Sequence, residues 1–391
     1  MQGMLCLHAA LLGSLLVVVG SVPSRALPAA TPVTPELVQA AEREGAVNFY
    51  TSVDVEVAEK VKKAFEAKYP RIKVAVERNG AQRQFQRLAQ EYASRIFNAD
   101  VVNSADAAHF VVWKRQGWLA AFVPEDVATH YAAEHVDPDG LFATWKGSLC
   151  VVGYNTKFVT PSEAPKSYAD LLDPKWRGLI VKAHPSYSGT ILTETSVVAR
   201  ELGWGFFERL GKQKVMQVQS STESPKKLAV GERPVMADGT ESNMFTLKEA
   251  GAPVEIVYPL EGTPFVPSPT AVLERAPHPN AARLFQSFLY SLELQQLLID
   301  EGGERSLHPL ARERPGRKPL GSIKLLTEDP AVIADQADEI KANYTRYFGT
   351  GGTLAAARSR GAQRSSTQPT IAIGATVPMQ KQMMVETKRI S

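Results

Sequence analysis

Leu179–Leu192 reads LIVKAHPSYSGTIL, and its small polar residues are where chemistry is most concentrated. Leu179–Ala183 is an apolar run of the kind that sits in a sheet covered on both faces. His184–Gly189 is a turn rich in Pro, Ser and Gly, and from Thr190 a helical pattern (Ile191, Thr195, Val198, Leu202) runs to a stop at Gly203. A strand feeding a helix through a Ser/Gly turn gathers free backbone N–H groups and hydroxyls at the positive end of a helix dipole. Such a turn binds an anion without any Lys or Arg. Ser186, Ser188, Gly189 and Thr190 are therefore candidate ligand residues. The same spacing also suits a Ser188 that only caps the helix.

The elements upstream must position this turn. Ala46–Thr51, the alternating Ile72, Val74 and Val76, and Asp100–Val102 read as strands. Helical patterns follow each one, over Glu56–Tyr69, Phe85–Arg95 and Ala107–Gln116, which gives βαβαβα and a sheet flanked by helices. Ligands of such sheets bind beyond the carboxyl ends of the strands. Those ends bring in Ser52, Asn79-Gly80, Asn103 and Ser104, with Asp106 close behind. A strand over Leu149–Tyr154 opens a second α/β region, in which Val235–Ala237 ends at Asp238 and leads to Glu241, Ser242 and Asn243. Farther on come an apolar run at Val254–Tyr258, a strand at Ala271–Leu273, one long helix over Asn280–Ile299 and a last helix over Pro330–Phe348.

The 391 residues suffice for two cores, with ordinary hydrophobic (44%) and charged (22%) fractions. The net charge of +3 is unevenly spread: residues 352–391 carry six cations against Glu386 alone. Arg25 adds one more, so the body between is acidic and nucleic acid is not an expected partner. Met1–Ala26 has an apolar core, Ala9–Val19, and a small-x-small end at Ser24-Arg25-Ala26, which reads as a signal peptide. After cleavage only Cys150 remains. No internal disulfide can form, and Cys150 reads as a small buried hydrophobe. Residues 350–391 read as a disordered basic tail. An enzyme reading would draw on His109, His130, His135, His184, His278 or His308, none of which lies in a nucleophile-elbow, zinc or phosphate-loop motif.

Several segments together carry a resemblance: NFYTSVD, ADVVNSAD, GYNTKFV, SYADLLDPKWRG, HPSYSGT, GTPFVPSPTAVLERAPHPNAARLFQSFL and ERSLHPL. In this order, from about Ala46 to Gly349, the chain resembles the periplasmic solute-binding proteins of bacterial ABC importers. It is most similar to the ferric-ion-binding branch and its organophosphate- and phosphonate-binding relatives. The resemblance implies a two-lobe type II α/β fold, with 46–148 and 260–349 in lobe 1, 149–259 in lobe 2, and 27–45 a linker and short helix. It places hinge crossings at Gly147–Asn155 and Val254–Pro259, and an anion at the turn Ser186–Thr190. The ferric pattern of a His, a Glu and a Tyr pair falls near Asp54, Ala105 and Glu241-Ser242, and no Tyr-Tyr occurs anywhere in the chain.

Asp54, Asp106, Asp238 and Glu241 offer replacement oxygens for Fe³⁺, or are solvated loop carboxylates. The expected cleft is rich in hydroxyls and short of bases. It suits a small phosphate, phosphonate or carboxylate solute, whose hydroxyls or amine would meet Asp106 or Glu241. The implied protein is a monomeric, non-enzymatic carrier in the periplasm that delivers its solute to a membrane permease. It has no resident cofactor or metal, and Fe³⁺ with a synergistic anion is the alternative cargo. A periplasmic hydrolase and a sensor partner are further alternatives.

Overall fold

The computed structural model describes residues 28–349, so the expected signal peptide (1–26) and the tail (350–391) lie outside the described residues. Local signals set the first elements. Thr34 caps α1 (Pro35–Glu44), Pro35 occupies its first turn, and Gly45 closes it with φ of +69°. The alternation that follows is β1 (Ala46–Thr51), α2 (Val55–Lys68), β2 (Lys73–Arg78), α3 (Ala81–Ala93), β3 (Val101–Asn103) and α4 (Ala107–Arg115). Next come α5 (Glu125–His130), β4 (Ala143–Leu149), β5 (Val152–Asn155), β6 (Ile180–Ala183), α6 (Gly189–Leu202), α7 (Trp204–Gly211) and β7 (Met216–Val218). Then follow α8 (Glu223–Ala229), β8 (Val235–Met236), α9 (Glu241–Glu249), β9 (Val254–Val257) and β10 (Thr263–Val272). The chain continues through α10 (Pro279–Tyr290), α11 (Leu292–Gly302), β11 (Arg305–Ser306), β12 (Leu325–Leu326) and α12 (Pro330–Phe348).

Two sheets result, in the mixed α/β class expected. The first runs β11-β4-β10-β3-β1-β2, with β12 added on β10, and the second runs β7-β6-β8-β5-β9. Pairing is parallel among β1, β2 and β3 and among β6, β7 and β8, and antiparallel where β10 meets β3 and β4. The first sheet's core packs Phe49, Phe65 and Phe285 together, with Phe65 and Phe285 edge to face at 5.0 Å. The second sheet's core holds Val197, Phe207 and Tyr344. The last of these comes from α12, which lies against α4 of the first sheet and against α6 and α7 of the second.

Four expectations change. The single strand over Leu149–Tyr154 is two strands in different sheets. At the break, Cys150 N–H donates to Pro264 O (3.0 Å) on the first sheet and Val151 N–H to Gly239 O (2.9 Å) on the second. The short strand at Ala271–Leu273 is the tail of the ten-residue β10. Its prolines mask it in sequence, yet Pro267 and Pro269 lie where only β4 pairs with it, since β3 joins only from Thr270. The long helix after Asn280 breaks at Ser291, whose Oγ caps α11 by accepting from Leu294 N–H. Finally, α3 begins at Ala81 and not at Phe85.

Candidate functional site

The earlier start of α3 matters because its first turn meets that of α6 across the gap between the sheets. A cavity of 390 Å³ lies there. The first sheet contributes Ser52 after β1, Arg78 at the end of β2 and Gly80–Arg83 at the start of α3. The second contributes Ser186–Thr190 and, after β7, Gln219–Thr222. Ser188 is the N-cap of α6, its Oγ accepting from Ile191 N–H at 3.4 Å. Among the described residues the N–H groups of Gly189 and Thr190 have no acceptor, nor do those of Ala81, Gln82 and Arg83 on α3. Two helix starts thus turn their partial positive charge on one space. Arg78 donates through Nε to Val53 O at 3.0 Å. Both Arg78 and Arg83 are exposed, and neither is within ion-pair distance of a carboxylate among the described residues.

The sheets touch beside this cavity. A Cβ added to Gly189 would lie 2.4 Å from the Cβ of Asp106, so only glycine permits this approach.

Of the residues singled out in sequence, Ser52, Ser186, Ser188, Gly189 and Thr190 line the cavity together. Ser52 Oγ also accepts from Ala105 N–H at 2.8 Å. Asn103, Ser104 and Asp106 do not reach it; they are buried beneath it. Asn103 ties strands together, its Nδ2 donating to Ser268 Oγ (3.0 Å) and Pro269 O (2.9 Å) while Oδ1 accepts from Thr51 Oγ1 (2.9 Å). Asp106 caps α4 through Ala108 N–H (3.1 Å) and accepts from Gln82 Nε2 (3.1 Å). Its Oδ2 lies 3.3 Å from His109 Nε2, and His109 Nδ1 lies 3.0 Å from Ser104 Oγ. This Ser–His–Asp contact has the residue types of a hydrolase triad with the two ring nitrogens exchanged, since in a triad the serine meets Nε2 and the aspartate Nδ1, and Ser104 and Asp106 are 0% exposed, so no substrate touches the hydroxyl. Burial first, and then Lys341, push His109 below the usual histidine range against the pull of Asp106, which favours a neutral ring. His184, the other histidine near a serine, accepts Ser186 N–H at Nδ1 (3.1 Å).

Glu241 is a clear correction. It is 1% exposed and holds Arg305 through two bonds (2.7 and 2.6 Å), Arg317 at 2.7 Å, and the Tyr258 hydroxyl. Burial pushes its carboxyl up, but the Arg305 hydrogen bond and the two guanidinium charges outweigh that and hold it below the ordinary range. Ser242 and Asn243 face a separate, smaller cavity of 200 Å³ with Asp54 and Lys226. Asp238 is likewise committed, pairing with buried Lys182, which also binds Glu194 at 3.0 Å. Asp54 caps α2 through Glu56 N–H.

The cleft is therefore not short of bases, because Arg78 and Arg83 stand at its mouth. Their signal was present in the sequence: RNGAQR closes the second strand, at the carboxyl end where ligands bind. A helix taken to start at Phe85 leaves this stretch as plain loop.

Comparison with known proteins agrees with this architecture. The profile of the family described as bacterial extracellular solute-binding protein matches residues 48–304. The periplasmic binding protein AfuA from Actinobacillus pleuropneumoniae, solved with exogenous fructose-6-phosphate bound, superposes with a TM-score of 0.72 at 24% identity, covering 78% of this chain and 99% of that one. Iron-bound HitA from Pseudomonas aeruginosa gives 0.67 at 24% identity, covering 76% and 99%. An uncharacterized protein of Haemophilus influenzae is 27% identical over 173 residues, which is 43% of this chain and spans half (50%) of that relative's length. The chain belongs to the bacterial extracellular solute-binding proteins and has the two-lobe type II periplasmic-binding fold.

Proposed function

We propose that this chain is the capture component of an ABC importer, exported to the periplasm, and that its cargo is a small solute with a phosphate, phosphonate or carboxylate end. One observation carries the reading: two helix starts, one from each lobe, face a single cavity edged by two arginines that, among the described residues, pair with no carboxylate. The anionic end rests on the N–H groups of Gly189 and Thr190 and on the Ser186 and Ser188 hydroxyls, with Ala81–Arg83 opposite. Arg78 and Arg83 add charge. Ligand contacts from both lobes favour a closed clamp, hinged where the chain passes between sheets at Cys150–Val151 and Tyr258–Gly262. The sugar phosphate in AfuA supports a phosphate-bearing cargo.

HitA was solved with iron, so Fe³⁺ belongs in the same test. The commitments of Asp106, Asp238 and Glu241 weigh against it here, since a hard cation needs free anionic oxygens. The burial of Ser104 and Asp106 weighs against hydrolysis.

Calorimetric titration of the full chain with fructose 6-phosphate, 2-aminoethylphosphonate, citrate, and Fe³⁺ with carbonate tests the reading. At least one organic anion is expected to bind, to compact the protein in solution scattering, and to weaken in Arg83→Ala. Binding of Fe³⁺ alone, or equal affinity in Arg83→Ala, would overturn it.

A further inference from the structure

A second chemical cluster lies on the first lobe, and its residues line none of the cavities described above. Asp126 and His130 are one turn apart on α5 and share a face. His308 reaches them from the segment just after β11. One donor atom from each lies within 4.8 Å of the other two. Asp126 Oδ1 is 4.0 Å from His130 Nε2 and 3.9 Å from His308 Nε2, and the two imidazole rings are 4.9 Å apart.

A helical Asp–His pair alone is ordinary surface chemistry. His308 is not ordinary: it is 3% exposed, and its buried Nε2, 3.9 Å from Asp126 Oδ1, has no hydrogen-bond partner among the described residues. An orphaned buried nitrogen is unfavourable unless something fills it.

We propose that Asp126, His130 and His308 form a binding site for a zinc-class divalent cation, separate from the cleft and its solute. Two imidazoles and one carboxylate suit a borderline metal, and the partial exposure of Asp126 and His130 leaves a fourth position for water. Metal–ligand bonds of about 2.0–2.2 Å require the three groups to draw in slightly, which the partly exposed side chains of Asp126 and His130 allow. His308 Nδ1 accepts from Leu310 N–H at 3.3 Å, which places the ring proton on Nε2. Binding moves that proton to Nδ1, at the loss of one long hydrogen bond. The cation ties α5 to the segment that follows Arg305, one of the two arginines buried on Glu241.

The test is titration of the chelator-treated full chain with Zn²⁺, followed by calorimetry and thermal denaturation, with Co²⁺ absorption reporting the ligand geometry. One equivalent is expected to bind and to raise the melting temperature. His130→Asn should weaken binding at least about tenfold, as loss of a direct ligand must exceed that of a supporting group. His308→Gln should do the same. Because His308 is buried and its variant risks misfolding, the half-exposed His130 carries the decision. Arg83→Ala should bind Zn²⁺ as the parent does. Absence of binding to the parent, or unchanged affinity in His130→Asn, would overturn the site.

Discussion

Two convergences of charge, one open and one sealed, mark the cleft region. At the starts of α3 and α6, helix dipoles and two arginines line one cavity, and among the described residues neither arginine pairs with a carboxylate. Around Glu241, two arginines and a tyrosine answer one carboxylate so fully that it is 1% exposed. Both regions place charged residues near the carboxyl ends of strands, and both look equally functional in sequence. What separates them is compensation. Charges that satisfy one another hold a fold, whereas charges left unsatisfied beside water await a ligand.

The largest effect should come from breaking the sealed region. Glu241→Gln leaves Arg305 and Arg317 buried with only the partly exposed Glu313 nearby, and should cost about 3–5 kcal/mol in urea denaturation. Solute affinity of the folded fraction should not change. A loss of affinity at unchanged stability would make Glu241 a ligand group after all.

Lys182, Glu194 and Asp238 form a second sealed cluster, beneath α6. Burial raises the Glu194 carboxyl from 4.5 to about 7 against the pull of Lys182. With its folded pKa above its unfolded one, the folded state binds more protons between pH 4.5 and 7. Stability therefore falls as pH rises through that window, by up to about 3 kcal/mol. Glu194→Gln should flatten this fall in denaturation series at pH 5 and pH 7.5. Parallel curves for parent and variant would contradict it.

The open region should respond oppositely. Replacing Arg78 and Arg83 together by Ala should weaken the tightest phosphate-bearing probe about a hundredfold in calorimetry. Both residues are exposed, so stability should stay within about 0.5 kcal/mol. Ser188→Ala is the smallest and the most mixed. Its Oγ already accepts Ile191 N–H, so the variant should lose about 1 kcal/mol as a missing cap and about tenfold in affinity. A stability loss with full affinity would leave Ser188 as a cap only.

The alternation of the first lobe was legible because each strand and helix carries its own period and stop: Gly45 after α1, Pro70 after α2, Gly117 after α4. The turn HPSYSGT was legible for the same local reason. What escaped depends on partners far along the chain. Leu149–Tyr154 is one apolar run, and only the carbonyls of Pro264 and Gly239 divide it between two sheets. Glu241 looks like a solvated acid until Arg305 and Arg317, more than sixty positions away, close over it. Asn103, Ser104 and Asp106 sit at a strand end as ligand residues do. Their depth is set by His109, Gln82 and β10.

Helix α12 changes the mechanics of such a molecule. Two crossing strands alone leave two lobes free to bend and to swivel, and a rod touching both removes some of that freedom. On one side α12 meets the first lobe through exposed or half-buried polar contacts, Asp335 to Arg115 at 2.7 Å and Lys341 to Gln82 at 3.3 Å, which water replaces easily, and through the small side chain of Ala108, which packs with buried Ile333 and Ile340. On the other, Tyr344 is wholly buried against Phe348 and Phe207, and its hydroxyl donates to Ala183 O. The rod should therefore ride with the second lobe as a guide rail, and opening should proceed as a slide of α4 along it. Paired spin labels would show this as an α4–α12 distance that changes with ligand while the α7–α12 distance stays fixed.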